Sequence, residues 1–463
     1  MECLRVAGGV RLHGTVACSG SKNAALPIMA ASILVDGPTV LSGVPDLVDV
    51  DSLSLLLGQL GVEVKRDVLG DLHLATVDSH PTTAEYELVR RMRASFCVLG
   101  PLLARRGRAV VSLPGGCNIG TRPVDLHLAG LHALGAELRI ERGYVIAEAK
   151  QLRGARIDLR GPHGSTVTGT ANVMSAATLA AGQTIINGAA IEPEIVDLGQ
   201  FLIAAGAEIS GLGTDTLEIM GVERLQGVLY PIIPDRIEAA TLLIAAAMTQ
   251  GTVSVDGARP EHLTAVLDAL SAAGVDVARG HDKITVHAGS RPRPVDLIAR
   301  PYPGIPTDVQ AQMMALLALA EGTSHIADDV FPDRCQHIDE LNRLGARIER
   351  RGKLAIIDGV RRLSGAEVLA SDLRATAALV LAGLTATHET TIHGIEHLDR
   401  GYERLEVKLA ELGAQVERYR TSTPATEISP VDPIFIASAT RPRLRHRIDA
   451  NRPLCGLPGA PIA

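Results

Sequence analysis

The chain has 463 residues, of which 46% are hydrophobic, 21% charged and 2% aromatic, with no tryptophan and a formal net charge of -7 at pH 7. That length suggests about two to four domains, the composition is that of a well-cored protein built on Leu, Val, Ile and Ala, and the negative balance argues against general nucleic-acid binding. The six cysteines, Cys3, Cys18, Cys97, Cys117, Cys335 and Cys455, form no CxxC pair or Cys/His cluster, so neither a zinc site nor a disulfide framework is expected. The N-terminus lacks a charged segment followed by an apolar one, and apolar runs are interrupted before membrane-spanning length. A reducing, cytoplasmic setting is expected.

In chain order, short strands at Leu4–Val10 or Thr15–Cys18 come first and are able to pair with either half of the protein. Ser19-Gly20-Ser21-Lys22-Asn23 then precedes a helix starting near Ala24. Helix N-terminal N–H groups favour anions and Lys22 adds a full charge; an ordinary cap with a solvated lysine explains the same residues.

From there one pattern repeats: a helix ending in Leu-Gly or Ala-Gly, then a short alternating strand. It occurs at Leu60-Gly61, Leu134-Gly135, Ala205-Gly206, Ala273-Gly274, Leu344-Gly345 and Leu412-Gly413, about every 70 residues. Glycine suits a helix end that turns left-handed. An Ala/Leu-rich helix and a β-branched strand precede several markers, as in Ala176–Ile186, Leu242–Val255 and Leu316–Ile326. Each unit therefore reads as βαβαββ, and six units arranged three plus three would give two pseudo-symmetric domains. Their joint falls near Leu229–Pro234, where Pro231 and Pro234 interrupt the chain.

Several stretches between the markers carry chemistry. Met92-Arg93-Ala94-Ser95 opens a helix with an arginine where the dipole disfavours one, which fits either a bound anion or a plain surface residue. Pro114-Gly115-Gly116-Cys117-Asn118-Ile119-Gly120-Thr121-Arg122-Pro123-Val124-Asp125 joins a strand-like run to a helix-like run from Leu126. Such a glycine loop is a lid, an anion cradle or a simple turn. Cys117 is a candidate acid or nucleophile, and Arg122 a cation able to lower its pKa or to grip phosphate. Thr166-Val167-Thr168-Gly169-Thr170-Ala171-Asn172 is a hydroxyl-rich turn ahead of a Met174–Ala181 helix, suited to a diphosphate or to capping alone.

In the second half, Pro301–Asp308 ends a proline-rich loop where Asp308 is either a cap or a base on a rigid edge. Arg334, Asp372-Leu373-Arg374 and Asp399-Arg400-Gly401-Tyr402-Glu403-Arg404 follow, the last two read as helix starts. Each charge is explained by solvated capping or helix pairing, but cations gathered at helix starts in both halves point to anion sites. Residues 421–463, rich in Pro, Ser, Thr and Arg and without the repeat, read as a mostly disordered tail.

Together these motifs resemble the enolpyruvyl transferase family over about residues 1–420. The resemblance rests on Gly20-Ser21-Lys22-Asn23-Ala24-Ala25, Arg93-Ala94-Ser95, Leu113–Gly120, Arg122-Pro123-Val124-Asp125-Leu126-His127 and Glu192–Asp197. It continues through Pro234-Asp235-Arg236-Ile237-Glu238, Pro306-Thr307-Asp308, Asp372-Leu373-Arg374 and Asp399–Glu403. It implies an inside-out α/β barrel of two domains, 22–232 and 1–21 with 233–420, followed by the 421–463 tail.

The reaction implied is transfer of the enolpyruvyl group of phosphoenolpyruvate to the 3-hydroxyl of UDP-N-acetylglucosamine. Phosphate leaves through a tetrahedral ketal, as the first committed step of peptidoglycan precursor synthesis. By the same resemblance Cys117 protonates C3 of phosphoenolpyruvate and is the target of phosphonate epoxides such as fosfomycin. Asp308 stands beside the attacking hydroxyl, and Lys22, Arg122 and Arg400 clamp phosphate and carboxylate. Arg334, Asp372 and Arg374 line the same cleft. Asn23, Arg93, Pro123, Val124, Asp125, Leu126, Thr166, Val167, Thr168 and Val330 meet the nucleotide sugar. Some relatives have Ser-Val-Gly where Thr166-Val167-Thr168 stands. No metal or cofactor, no nucleic acid and no membrane partner is implied, and a monomer is expected. Alternatives are the shikimate-pathway transferase, which lacks the Gly-Gly-Cys lid, a paralogue using another UDP-sugar, and a non-catalytic nucleotide-sugar-binding protein.

Overall fold

The computed structural model describes residues 2–114, 123–162 and 164–420. Cys117, Arg122 and the 421–463 tail lie outside the described residues.

Six four-stranded sheets share one plan: an edge strand parallel to its neighbour, followed by two antiparallel strands. In the sheet of Leu229–Pro231, Thr39–Ser42, Leu72–Thr76 and Val62–Arg66, for example, Leu229 pairs with Val40 in parallel and Thr39 with Leu74 antiparallel. The six marker glycines fulfil the expectation for left-handed helix ends, with φ between 77° at Gly61 and 107° at Gly206. An L side chain is strained in that region, which is why glycine recurs there.

Inner helices are buried almost all round. Arg236–Met248, Gln310–Leu317 and Leu373–Thr385 pack against one another, and each is Ala- and Leu-rich. Small side chains let these helices approach closely while the sheets wrap them from outside, so the order of layers is the reverse of a sheet-cored barrel. The second helix in each unit, such as Val48–Gln59 or Asp125–Ala133, buries one face only.

Two hydrophobic clusters result. One gathers residues from Ala24 to Ile233, the other Leu4–Val16 together with residues from Ile237 to Ala414. The N-terminal strands serve the second cluster: Glu2–Ala7 lies between Thr390–His393 and Gln415–Arg420, and His13–Ala17 runs parallel to Thr252–Asp256. The chain passes between the clusters twice, and the two passages are bonded together. Ser21 N donates to Ile233 O at 2.7 Å and Asp235 N to Ser19 O at 2.8 Å.

Candidate active site

The site grows from element ends that face each other across the two clusters. Ser21 caps the Lys22–Ala31 helix, its side chain accepting from Ala24 N. Lys22 is the first helical residue and only 8% exposed. Its Nζ meets Asp49 Oδ2 at 2.6 Å. Burial lowers its pKa below the usual lysine value; Asp49 opposes this, while Arg374 and Arg400 add to it. Asp49 lies in the first turn of Val48–Gln59, where the helix dipole favours a carboxylate. Its other oxygen accepts from Arg400 Nε at 2.9 Å, and Arg400 Nη2 donates to Arg91 O at 3.2 Å. Lys22 from the first cluster and Arg400 from the second are thereby joined through one carboxylate.

A second constellation lies beside it. Asp308 sits in the Thr307–Val309 turn and accepts from Arg334 Nη1 at 2.8 Å and Arg374 Nη2 at 2.7 Å. Burial pushes the Asp308 pKa up, but Arg374 and Arg334 overcome it and hold the carboxyl well below the usual range. Both guanidinium groups are buried, at 5% and 3% side-chain exposure. Arg374 also stacks over the Tyr402 ring, 5.2 Å from its centre. Asp372 caps Leu373–Thr385, with Oδ1 accepting from the backbone of Arg374 and Ala375. Its Oδ2 is buried without a hydrogen bond among the described residues, as is Arg334 Nε. Unused capacity on buried charged groups is what an incoming polar substrate can satisfy.

A third group flanks these. Thr166 caps the Val167–Ala177 helix, its Oγ1 accepting from Gly169 N. The helix therefore begins seven residues before the expected Met174, and Thr168 and Asn172 are helical. Asn172 Nδ2 donates to His127 Nδ1 at 2.9 Å, which leaves the ring proton on Nε2, 3.2 Å from Thr168 Oγ1. Burial, with a smaller effect of Arg93, drives the His127 pKa down to about 3, so the ring is neutral. Pro123 and Val124 lead into Asp125–Ala133, whose first residues are Asp125 and Leu126. Asn23, half-buried, follows Lys22. Val330 N donates to Asp328 Oδ1 at 2.8 Å, and Asp328 Oδ2 accepts from Thr307 Oγ1 at 2.6 Å, tying Val330 to the Asp308 turn.

Three local expectations change. Of the two readings of Asp308, cap or base on a rigid edge, the cap falls away: its side chain bridges two arginines, and no side chain caps the turn. Arg400 does not open the last helix but ends the Ile395–Arg400 turn, and the helix runs Leu405–Glu411 after Arg404 at φ 48°. Arg93 opens a 3-10 segment, Arg93–Val98, before the α-helix Leu99–Arg106. Dipole arguments at Arg400 therefore fail; its partner is Asp49.

Asp49 was missed by the sequence reading, although an acid in the first turn of a helix is a readable signal. Glu403, at the end of the Asp399–Glu403 motif, is another residue whose partners lie far along the chain. It accepts from Ser19 Oγ and from Asp46 N, the latter at 2.8 Å. Lys408 Nζ reaches Glu238 Oε1 at 2.7 Å and Ser19 Oγ at 2.6 Å, so these residues brace the double crossing. Among the described residues no cluster of metal-ligating side chains is present, and no helix is long and apolar enough to cross a membrane.

Comparison with known proteins adds to this geometry. A family model described as EPSP synthase (3-phosphoshikimate 1-carboxyvinyltransferase) matches residues 6–409. A curated relative from Anaeromyxobacter sp. (strain Fw109-5), named UDP-N-acetylglucosamine 1-carboxyvinyltransferase, is 52% identical over 422 residues, covering 90% of this chain and 99% of its own. One of the same name from Akkermansia muciniphila is 51% identical over 421 residues, with 90% and 99% covered. The crystal structure of the enolpyruvyl transferase NikO from Streptomyces tendae superposes with a TM-score of 0.81 at 26% identity, covering 90% of this chain and 98% of that one. EPSP synthase from Acinetobacter baumannii shares the fold, with a TM-score of 0.71 at 19% identity and 91% and 100% covered.

Proposed function

The chain belongs to the enolpyruvyl transferase family, and we propose that it transfers the enolpyruvyl group of phosphoenolpyruvate to the 3-hydroxyl of UDP-N-acetylglucosamine, releasing phosphate. Its inside-out α/β fold and its identity of about half with relatives of that activity support this acceptor over shikimate 3-phosphate. The observation that carries the chemistry is the carboxylate of Asp308 held between Arg334 and Arg374, with Lys22 in electrostatic reach of Arg374. The proposal includes domains 22–232 and 1–21 with 233–420, a cleft between them, and a role in peptidoglycan precursor synthesis in the cytoplasm.

Lys22, Arg122, Arg374 and Arg400 supply positive charge for phosphate and carboxylate. Asp49 neutralises Lys22 and Arg400 when no anion is bound and is displaced from them, in part, when one is. Arg334 and Asp372 keep the Asp308 turn in place.

In the addition step the sugar 3-oxygen bonds to C2 of phosphoenolpyruvate as Cys117 delivers a proton to C3. The hydroxyl proton passes to Asp308. A carboxylate with so low a pKa is a weak base toward a free hydroxyl. It becomes adequate as the attacking oxygen acquires positive character, so proton transfer follows bond formation. In the elimination step C3 returns a proton to the Cys117 thiolate and the C2–O bond to phosphate breaks; the C2–C3 double bond reforms as the enol ether, and phosphate leaves with the proton held by Asp308. Asn23, Arg93, Pro123, Val124, Asp125, Leu126, Thr166, Val167, Thr168 and Val330 hold the nucleotide sugar, with neutral His127 orienting Thr168.

The test is phosphate release from phosphoenolpyruvate with UDP-N-acetylglucosamine, other UDP-sugars and shikimate 3-phosphate. Turnover is expected with UDP-N-acetylglucosamine; turnover with shikimate 3-phosphate alone refutes the assignment.

A further inference from the structure

Away from this site, the inner helices of the second cluster end around a separate cavity of about 260 Å³. Met248, Leu319, Leu384 and Thr385 bring the C-terminal ends of Arg236–Met248, Gln310–Leu317 and Leu373–Thr385 to its wall. Each of the three segments leading into a parallel edge strand adds arginine: Arg11 before His13–Ala17, Arg291 before Leu297–Ala299, and Arg361 with Arg362 before Glu367–Leu369.

Arg291 is fixed, donating from Nε to Leu319 O and from Nη2 to Ala320 O, both at 2.7 Å. It therefore serves as a helix cap, and Glu321 lies 3.9 Å from its Nη1. Arg11, Arg361 and Arg362 have no such duty: their side chains make no hydrogen bond or ion pair among the described residues. No carboxylate lines the cavity. Gln250 lines it too, in a left-handed backbone with φ 53° that costs a non-glycine residue energy.

Three helix C-termini bring roughly half a negative charge each. With Arg291 set against Glu321, the three guanidinium groups of Arg11, Arg361 and Arg362 still exceed that, so the cavity is positive although the whole chain is negative. Arg11, Arg361 and Arg362 are exposed and line the same concavity, where an anion offsets their like charge. The volume falls below the roughly 300–1,000 Å³ of pockets for drug-sized ligands, which favours a compact ligand.

We propose that this cavity binds a small anion bearing two or more negative charges, of the diphosphate class, through Arg11, Arg361 and Arg362, with Arg291 as its fixed base. Planar forked donors suit phosphate oxygens. The ligand bridges three structural units at the ends of their inner helices, so its binding stiffens the second cluster without entering the catalytic cleft.

The probe is inorganic pyrophosphate titrated calorimetrically into the full chain, the Arg11→Gln/Arg361→Gln/Arg362→Gln variant and a Lys22→Ala variant. Wild type should bind, and Lys22→Ala should retain this site, which separates it from anion binding in the cleft. Each lost arginine should weaken binding about tenfold. The triple variant should keep its turnover in the absence of pyrophosphate. Should it misfold by circular dichroism, Arg11→Gln alone carries the test with its tenfold loss. No binding by wild type below millimolar concentration overturns the proposal, as does unchanged affinity in the arginine variant or loss of all binding in Lys22→Ala.

Discussion

Lys22 and Arg400 meet on a single carboxylate, that of Asp49, at 2.6 and 2.9 Å, although they are 378 residues apart and sit on segments that pack into different hydrophobic clusters. Two cations drawn together repel, and the Asp49 carboxylate between them offsets that cost. Asp49→Ala should therefore loosen the junction: small-angle scattering of the substrate-free variant should show a larger radius than wild type. Adding both substrates should restore compaction, while kcat/KM falls about ten- to a hundredfold. An unchanged radius would show that Asp49 does not hold the clusters together.

Asp308→Asn keeps the side-chain shape and removes the charge that Arg334 and Arg374 share. Removing the carboxylate that two buried guanidinium groups share, with only Asp372 left 3.8 Å from Arg334, costs about 3–5 kcal/mol, visible as a fall in Tm. Turnover should drop to near background, because neither an acceptor for the hydroxyl proton nor the arginine positions survive. Retention of both Tm and turnover would remove Asp308 from the site.

The proposed role of Cys117 as the acid requires a thiol that keeps its proton at neutral pH, as a free thiol with a pKa of about 8.5 does. Cys117→Ser should lose most activity, since a hydroxyl is a far weaker acid. Cys117→Asp should keep turnover with a lower pH optimum and gain no mass after treatment with a phosphonate epoxide, whereas wild type gains one adduct. Normal turnover by Cys117→Ser would disprove the role.

His127 links pH to stability. Its pKa falls from 6.5 to about 3 in the folded chain. Between those values the unfolded chain binds a proton that the folded chain refuses. Stability therefore falls as pH drops from about 6.5 toward 3, by up to roughly 1.4 kcal/mol per unit from this group. Asp197, raised to about 6 by burial, acts in the opposite sense, so the comparison must be between variants. His127→Gln should flatten the acid limb of denaturant-derived stability relative to wild type; an unchanged limb contradicts a neutral buried His127. The same variant should raise KM for the nucleotide sugar through Thr168.

Truncation after Arg420, the last residue of the strand paired with Glu2–Ala7, should leave turnover intact. A large loss of kcat would make residues 421–463 part of the enzyme.

Local chemistry wrote much of this protein openly. The six Leu-Gly and Ala-Gly markers announced the repeats because a left-handed helix end is a property of one residue's backbone. Ser21 and Asp372 announced their helix starts because capping acts within three residues, whereas the hydroxyl-rich run at Thr166 hid a helix start that was expected only at Met174. Arg400 was legible as a cation but was assigned the wrong local setting, since a turn and a helix start share the same polar residues.

What the sequence could determine by itself was thus everything governed by neighbours along the chain: the repeat, the helix ends, the family motifs. Only the tertiary structure decided which charges neutralise one another. Asp49 between Lys22 and Arg400, Asp308 between Arg334 and Arg374, Lys408 on Glu238 and Ser19, and the arginines gathered at three helix ends all join distant segments. Coulomb energy depends on separation in space and on burial, and neither is a function of distance along the sequence.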